Sequence, residues 1–243
     1  MKRVLLNGLI SGLAGGIALA AYMLLVGRGP INAALDYEET LAHEAEGASH
    51  THEALFGQGV QEIGGAIGLI VFGIALGVIF AITLASMSPR LGQVAPIHAA
   101  TRLGAIGFVV VVVVPFLKYP ANPPAVGDPD TINERTVLYF ALLGLSIALA
   151  NGVWSFVQRV ERSAVTRAWL GTTLYALGLA IIFLVLPGSV DQIDAPADLV
   201  WNFRLASLGG LAATWAVMSL TIGTLLTRQT ELEQHRQTAL TPA

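Results

Sequence analysis

Two groups of side chains in this sequence have the types and spacing that chemistry needs. The first is His43, Glu44, Glu46, His50, His52 and Glu53, three imidazoles and three carboxylates close together in the chain. Imidazole with carboxylate suits divalent ions such as Co²⁺, Ni²⁺ or Zn²⁺, and affinity order alone does not choose among them. His50 and His52 are two apart, so in an extended segment both rings lie on one side. A ligating imidazole must be neutral, so capture by this group weakens as pH falls through about 6.5. The same residues equally suit a solvated acidic loop whose histidines are incidental.

The second group lies in the stretch from Lys118 to Arg135, KYPANPPAVGDPDTINER. Pro120, Pro123, Pro124 and Pro129 forbid a continuous helix and push the residues before them toward extended geometry. The result is a stiff loop carrying Lys118, Tyr119, Asn122, Asp128, Asp130 and Arg135. Thr131-Ile-Asn-Glu134 reads as a capping box that opens the next helix. Asp198 and Arg204 sit at the start of the last apolar run. A charge a few residues inside such a run is costly and needs a partner, for which Asp198, Asp194 and Asp128 are candidates. Snorkelling to the interface is the competing account. Stiff polar loops at membrane depth tend to line cavities, so Asn122 and Asp128 are expected to face one, with Lys118, Tyr119, Arg135, Asp198 and Arg204 along a substrate path. A rigid turn between two helices is the plainer reading.

Positioning these groups falls to six apolar runs, near residues 5–26, 60–85, 102–117, 136–157, 167–186 and 199–226. Each approaches the ~20 residues that cross a bilayer as a helix. The 243 residues are 54% hydrophobic and only 12% charged, where soluble domains carry about 25%. The expected fold is therefore all-α, a polytopic membrane helix bundle with six transmembrane helices in a single domain. Residues 28–59 form an outer loop, partly helical over 31–46, and 227–243 a frayed cytoplasmic tail. A cleaved signal peptide is the competing reading of the first run, but it is longer than the usual apolar core and no A-x-A site closes it. Gly8, Gly12 and Gly16, then Gly64 with Gly68 and Gly73 with Gly77, are spaced to let helices approach closely. Glu62 reads as a helix N-terminal carboxylate, and Pro115 ends or bends the third span.

Two segments look alike. An apolar helix closes at Pro115, a Pro- and Asp-bearing loop follows, and Arg135 opens the next helix; the pattern returns with Pro187, Asp194, Pro196 and Arg204. This resembles a repeated hairpin of the kind transporters build around a binding site, and convergent loop chemistry explains it almost as well. With the N-terminus inside, nine of the 13 basic residues fall on the inner side, as the positive-inside rule favours. Thirteen of the 16 acidic residues fall outside, and their field concentrates cations there. Cysteine is absent, which excludes thiolate ligands, and the formal charge of −3 argues against nucleic acid. No GxxxxGK[ST], GxSxG or HExxH occurs, and the spans carry almost no ionisable groups, so an enzyme is not expected.

KYPANPPAVGDPDTI followed by RT and LY, together with PADLVWNFRLASL at 196–208, resembles the CbtA family of predicted cobalt transporter subunits. The resemblance implies a subunit of a divalent-metal uptake system; the expected host is the bacterial inner membrane, and the six spans with their basic bias put both termini in the cytoplasm. Cobalt is then the transported ligand, nickel or zinc being alternatives, and no fixed cofactor is expected. It also implies a small, His-rich, single-span partner alongside membrane lipid, within a homo- or hetero-oligomer. The alternative is a non-transporting accessory subunit that packs into a larger complex through its glycine ridges.

Overall fold

The computed structural model describes residues 1–46, 58–87, 94–124, 126–188 and 193–240. Among them every regular element is helical: α1 (Lys2–Tyr22), α2 (Arg28–Glu46), α3 (Gln58–Met87), α4 (Pro96–Phe108), α5 (Val114–Lys118), α6 (Ile132–Val157), α7 (Ala164–Val185) and α8 (Ala197–Leu240). Five-residue π segments, Met23–Gly27 and Val109–Val113, join α1 to α2 and α4 to α5, and a 3-10 turn, Pro129–Thr131, leads into α6. Six stretches are long and apolar enough to cross a membrane: Lys2–Leu41, Glu62–Met87, Pro96–Lys118, Pro129–Val157, Ala164–Val185 and Ala197–Thr238. The chain is an all-α, multi-pass membrane protein. Packing divides it into two compact units, Met1–Ile106 with Leu205–Ala243, and Gly107–Arg204.

In the first unit α1 and α3 pack backbone to backbone. A Cβ added at Gly12 would lie 2.6 Å from the Gly73 carbonyl oxygen, and one at Gly16 would lie 2.8 Å from the Ile70 Cα. Substituents on Gly73 and Gly77 would run into the main chain of Gly16 and Gly12. This close approach is what glycines every fourth residue allow. Gly64 and Gly68 have the same spacing, yet a Cβ on either would meet nothing within 4 Å among the described residues. The core adds Leu19, Phe80, Leu84, Met218 and Ile222, with Trp215 edge-on to Phe80 at 5.9 Å.

Two expectations are corrected in this unit. Residues 227–240 are not frayed, because α8 continues to Leu240. Residues 227–240 contain neither Gly nor Pro and are rich in Gln, Glu, Leu and Arg, all favourable in helices. Contacts to α1 support the extension: Arg3 pairs with Glu233 at 2.7 Å, and the Asn7 and Gln229 amides exchange hydrogen bonds of 3.3 and 3.1 Å. Glu62 lies one turn inside α3 and accepts from Arg28 Nε at 2.9 Å, forming an ion pair instead of a lone terminal carboxylate.

In the second unit Pro115 neither ends the helix nor leaves it regular, since α5 carries on to Lys118. Proline has no N–H to give, so the preceding turn must adjust. It does so by widening to π register, in which Val114 N–H donates to Val109 O. The Val110 carbonyl thereby loses the Val114 donor, and Pro115 offers none. Ser146 Oγ, fully buried on α6, donates to it at 2.8 Å. The Ser146 proton being so committed, its oxygen accepts from Tyr175 OH on α7 at 2.7 Å. A cavity between α6 and α7 is avoided at Gly178, where Leu149 fills the space a Cβ would need.

Candidate functional site

Lys118 ends α5 at the mouth of the proline-rich loop, and its position follows from a proline 69 residues away. The last carbonyls of a helix need donors from outside it. For Phe183 on α7 the next-turn donor would be residue 187, which is proline. Lys118 Nζ donates to the Phe183 carbonyl at 2.9 Å instead, and a cation is favoured at that end of the helix dipole. The ammonium also lies 5.5 and 5.6 Å from the Phe183 and Tyr119 ring centroids, within cation–π range. Tyr119 OH donates to the Pro187 carbonyl at 2.7 Å. Desolvation raises the Tyr119 phenol above its usual value.

Arg204, on the first turns of α8, reaches the same loop. Its Nε donates to the Ala121 carbonyl at 3.1 Å and its Nη2 to Asn122 Oδ1 at 2.9 Å. Lys118, Tyr119, Asn122, Arg135 and Arg204 all line one cavity of about 700 Å³. The two Pro…Arg segments of the sequence thus converge, through the Tyr119–Pro187 bond and through Arg135 and Arg204 in the lining of one cavity. Leu117, Pro120, Ala121, Thr136, Leu138, Tyr139, Phe140 and Ile193 are the other described lining residues; Thr136, Leu138 and Tyr139 belong to the RT and LY of the family motif, whereas Leu117, Phe140 and Ile193 were not singled out from sequence. Tyr139 lies four residues after Arg135 and so shares its helix face.

Asp128 and Asp198 are not among the described lining residues. Asp128 Oδ1 accepts from Asp130 N–H at 2.9 Å and caps the 3-10 turn that Pro129 begins. The expected capping box therefore does not form. Thr131 makes no side-chain cap, and its hydroxyl turns back to donate to the Asp128 carbonyl at 2.8 Å. Before that cap Gly127 takes a φ of 110°, which side chains disfavour. Asp198 lies exposed in the first turn of α8.

Of the six candidate metal ligands, His43, Glu44 and Glu46 fall on the last turns of α2, in the stretch 31–46 expected to be partly helical. His50, His52 and Glu53 lie outside the described residues. Among the described residues no group of three or more His, Asp or Glu side chains is placed to hold a metal ion.

No curated protein and no solved structure gave a match to the chain. The family model described as "Probable cobalt transporter subunit (CbtA)" matches residues 1–227, which takes in the first five spans, most of the sixth, the proline-rich loop and both Pro…Arg segments. On that coverage the chain belongs to the CbtA family of probable cobalt transporter subunits.

Proposed function

We propose that this protein is the membrane-embedded subunit of a divalent-metal uptake system, with cobalt as cargo and nickel or zinc as competitors. The observation that carries the reading is the family match over residues 1–227 in a chain with six helices able to span a membrane. The family's own description calls its members subunits, which implies a partner. A small, single-span, His-rich chain is the partner this proposal names. The host is a bacterial inner membrane with both termini cytoplasmic, an orientation supported by the nine-to-four bias of basic residues. In that orientation His43, Glu44, Glu46, His50, His52 and Glu53 face the outside, where a negative field gathers cations.

Uptake of Co²⁺ into sealed vesicles tests the reading, first with this chain alone and then with the partner. Accumulation in either case supports it. Absence of accumulation in both, with folded protein present, overturns it. Replacing His43, His50 and His52 together by Gln should weaken Co²⁺ binding in a calorimetric titration; unchanged binding would remove the capture step alone. For the orientation, a membrane-impermeant thiol reagent should label Ser49→Cys and not Ser163→Cys.

A non-transporting accessory role is the second reading. The ridge of Gly8, Gly12 and Gly16 cannot serve it, because α3 already occupies that face. Gly64, Gly65 and Gly68 leave a face of α3 open, which favours docking to another membrane chain. Vesicles in which the partner alone transports cobalt at the full rate would decide for this role.

A further inference from the structure

One face of α6 carries polar groups where a helix that meets only lipid carries none. Asn151 and Ser155 lie in the membrane-spanning stretch Pro129–Val157, and both are exposed. Asn151 sits about 9 Å inside the Val157 end of α6 at helical rise. One of its amide N–H groups donates to the Ile147 carbonyl at 2.9 Å. Its oxygen and its second N–H have no partner among the described residues, and neither has the Ser155 hydroxyl. Polar groups left in hydrocarbon are costly unless another chain satisfies them. We propose that this face of α6 docks against the same face of a second copy of this chain.

The surroundings of Asn151 are shaped for a close neighbour. Gly144, Ala148 and Gly152 recur every fourth residue on its side of the helix, and all three are exposed. A Cβ on either glycine would meet nothing within 4 Å among the described residues. A second backbone can come near there, as α3 comes near α1 at Gly12 and Gly16. Another side of α6 is already engaged, through Ser146 with Val110 and Tyr175 and through Leu149 at Gly178. Symmetry selects the occupant. Two copies in one membrane share one orientation, so a two-fold axis relating them stands normal to the bilayer. It sets α6 parallel to its counterpart, like residue against like residue, and only self-complementary groups suit that contact. Residues 144–155 contain no charged side chain. The asparagine amide both donates and accepts, so two of them satisfy each other, and a paired asparagine is known to fix register between helices. The open face of α3 at Gly64 and Gly68 has no polar side chain over residues 63–72 and makes no such demand.

The chain has no cysteine, so single Cys variants of the full protein report on the contact directly. Ala148→Cys, and Leu184→Cys as a control on α7 where the side chain is 86% exposed, are placed in vesicles at high lipid dilution and oxidised. Ala148→Cys should run mainly as a disulfide-linked dimer and Leu184→Cys mainly as a monomer, because the bond needs Cβ atoms about 4 Å apart. Energy transfer between labelled copies then measures dimer affinity. Asn151→Leu, which keeps the size and removes the amide, should weaken it about three- to tenfold. Ala148→Leu, which holds the backbones apart, should abolish it. Cross-linking no stronger at residue 148 than at residue 184 overturns the proposal. So does dimer affinity unchanged in folded Asn151→Leu, and so does Ala148→Cys that links to a different membrane chain and never to itself. If Asn151→Leu does not fold, the pair of Cys variants decides. None of these readouts measures metal uptake, so they stand or fall apart from the transport reading.

Discussion

The two compact units solve the same problem in different ways. In the first, α1 and α3 touch main chain to main chain along Gly12, Gly16, Gly73 and Gly77, with no polar side chain needed between them. In the second, α6 and α7 are tied to their neighbours by side chains that answer carbonyls left without donors: Ser146 at Val110, Lys118 at Phe183, Tyr119 at Pro187. Two of those vacancies are made by prolines, Pro115 and Pro187. Lipid tails give helices no hydrophobic reason to associate, so contact must come from close packing or from hydrogen bonds. Glycine contact closes space, and nothing else fits. Proline vacancies open the backbone and draw polar groups to fixed positions, which is how a charged cavity comes to exist at the edge of a membrane protein. The contrast extends to burial: α1 buries eight residues and α7 none.

The comparison breaks most readily at Gly73. Gly73→Leu drives a side chain into the backbone of Gly16, and we expect a loss above about 3 kcal/mol, seen as collapse of folded yield in detergent. A Gly73→Leu protein with the parental melting point would remove the main-chain contact from the account. Ser146→Ala should cost about 1–3 kcal/mol, because the buried Val110 carbonyl loses its only described side-chain donor. A neutral result there would mean that the widened turn satisfies itself. Smaller still is the Arg3–Glu233 pair, whose side chains are 75% and 60% exposed. A double-mutant cycle with alanine at both positions should give a coupling of about 0–1 kcal/mol that fades in high salt. At the bottom of the scale, Gly64→Ala should keep or raise the melting point, by up to about 1 kcal/mol of helix propensity, since its neighbourhood is open. A drop in folded yield would show that this face meets something in the membrane.

Much of the fold was legible. Apolar length alone located six spans, and proline density located the loop that lines the cavity. Glycine spacing predicted close packing but could not say which pair would meet, because Gly64 with Gly68 and Gly73 with Gly77 carry the same pattern. Only the meeting of two helices decides between them. The helical end of α8 was hidden because its support comes from Arg3 and Asn7, more than 200 residues earlier. Thr131 carried the cap signal, yet Asp128 took the role, since Pro129 starts the turn three residues sooner. The Val110–Ser146 bond needed knowledge of helix register around Pro115, which no local pattern supplies. The cavity itself was half visible: the recurring Pro…Arg segments pointed to two related loops, but not to their convergence.

The bond from Lys118 to Phe183 has a mechanical meaning. With Tyr119 also fastened to Pro187, the start of the loop and the end of α7 are held together at two points. Any motion passed along this part of the chain must find its pivot elsewhere. Val109–Val113, where the helix has already given up its ordinary register, is the compliant element directly upstream.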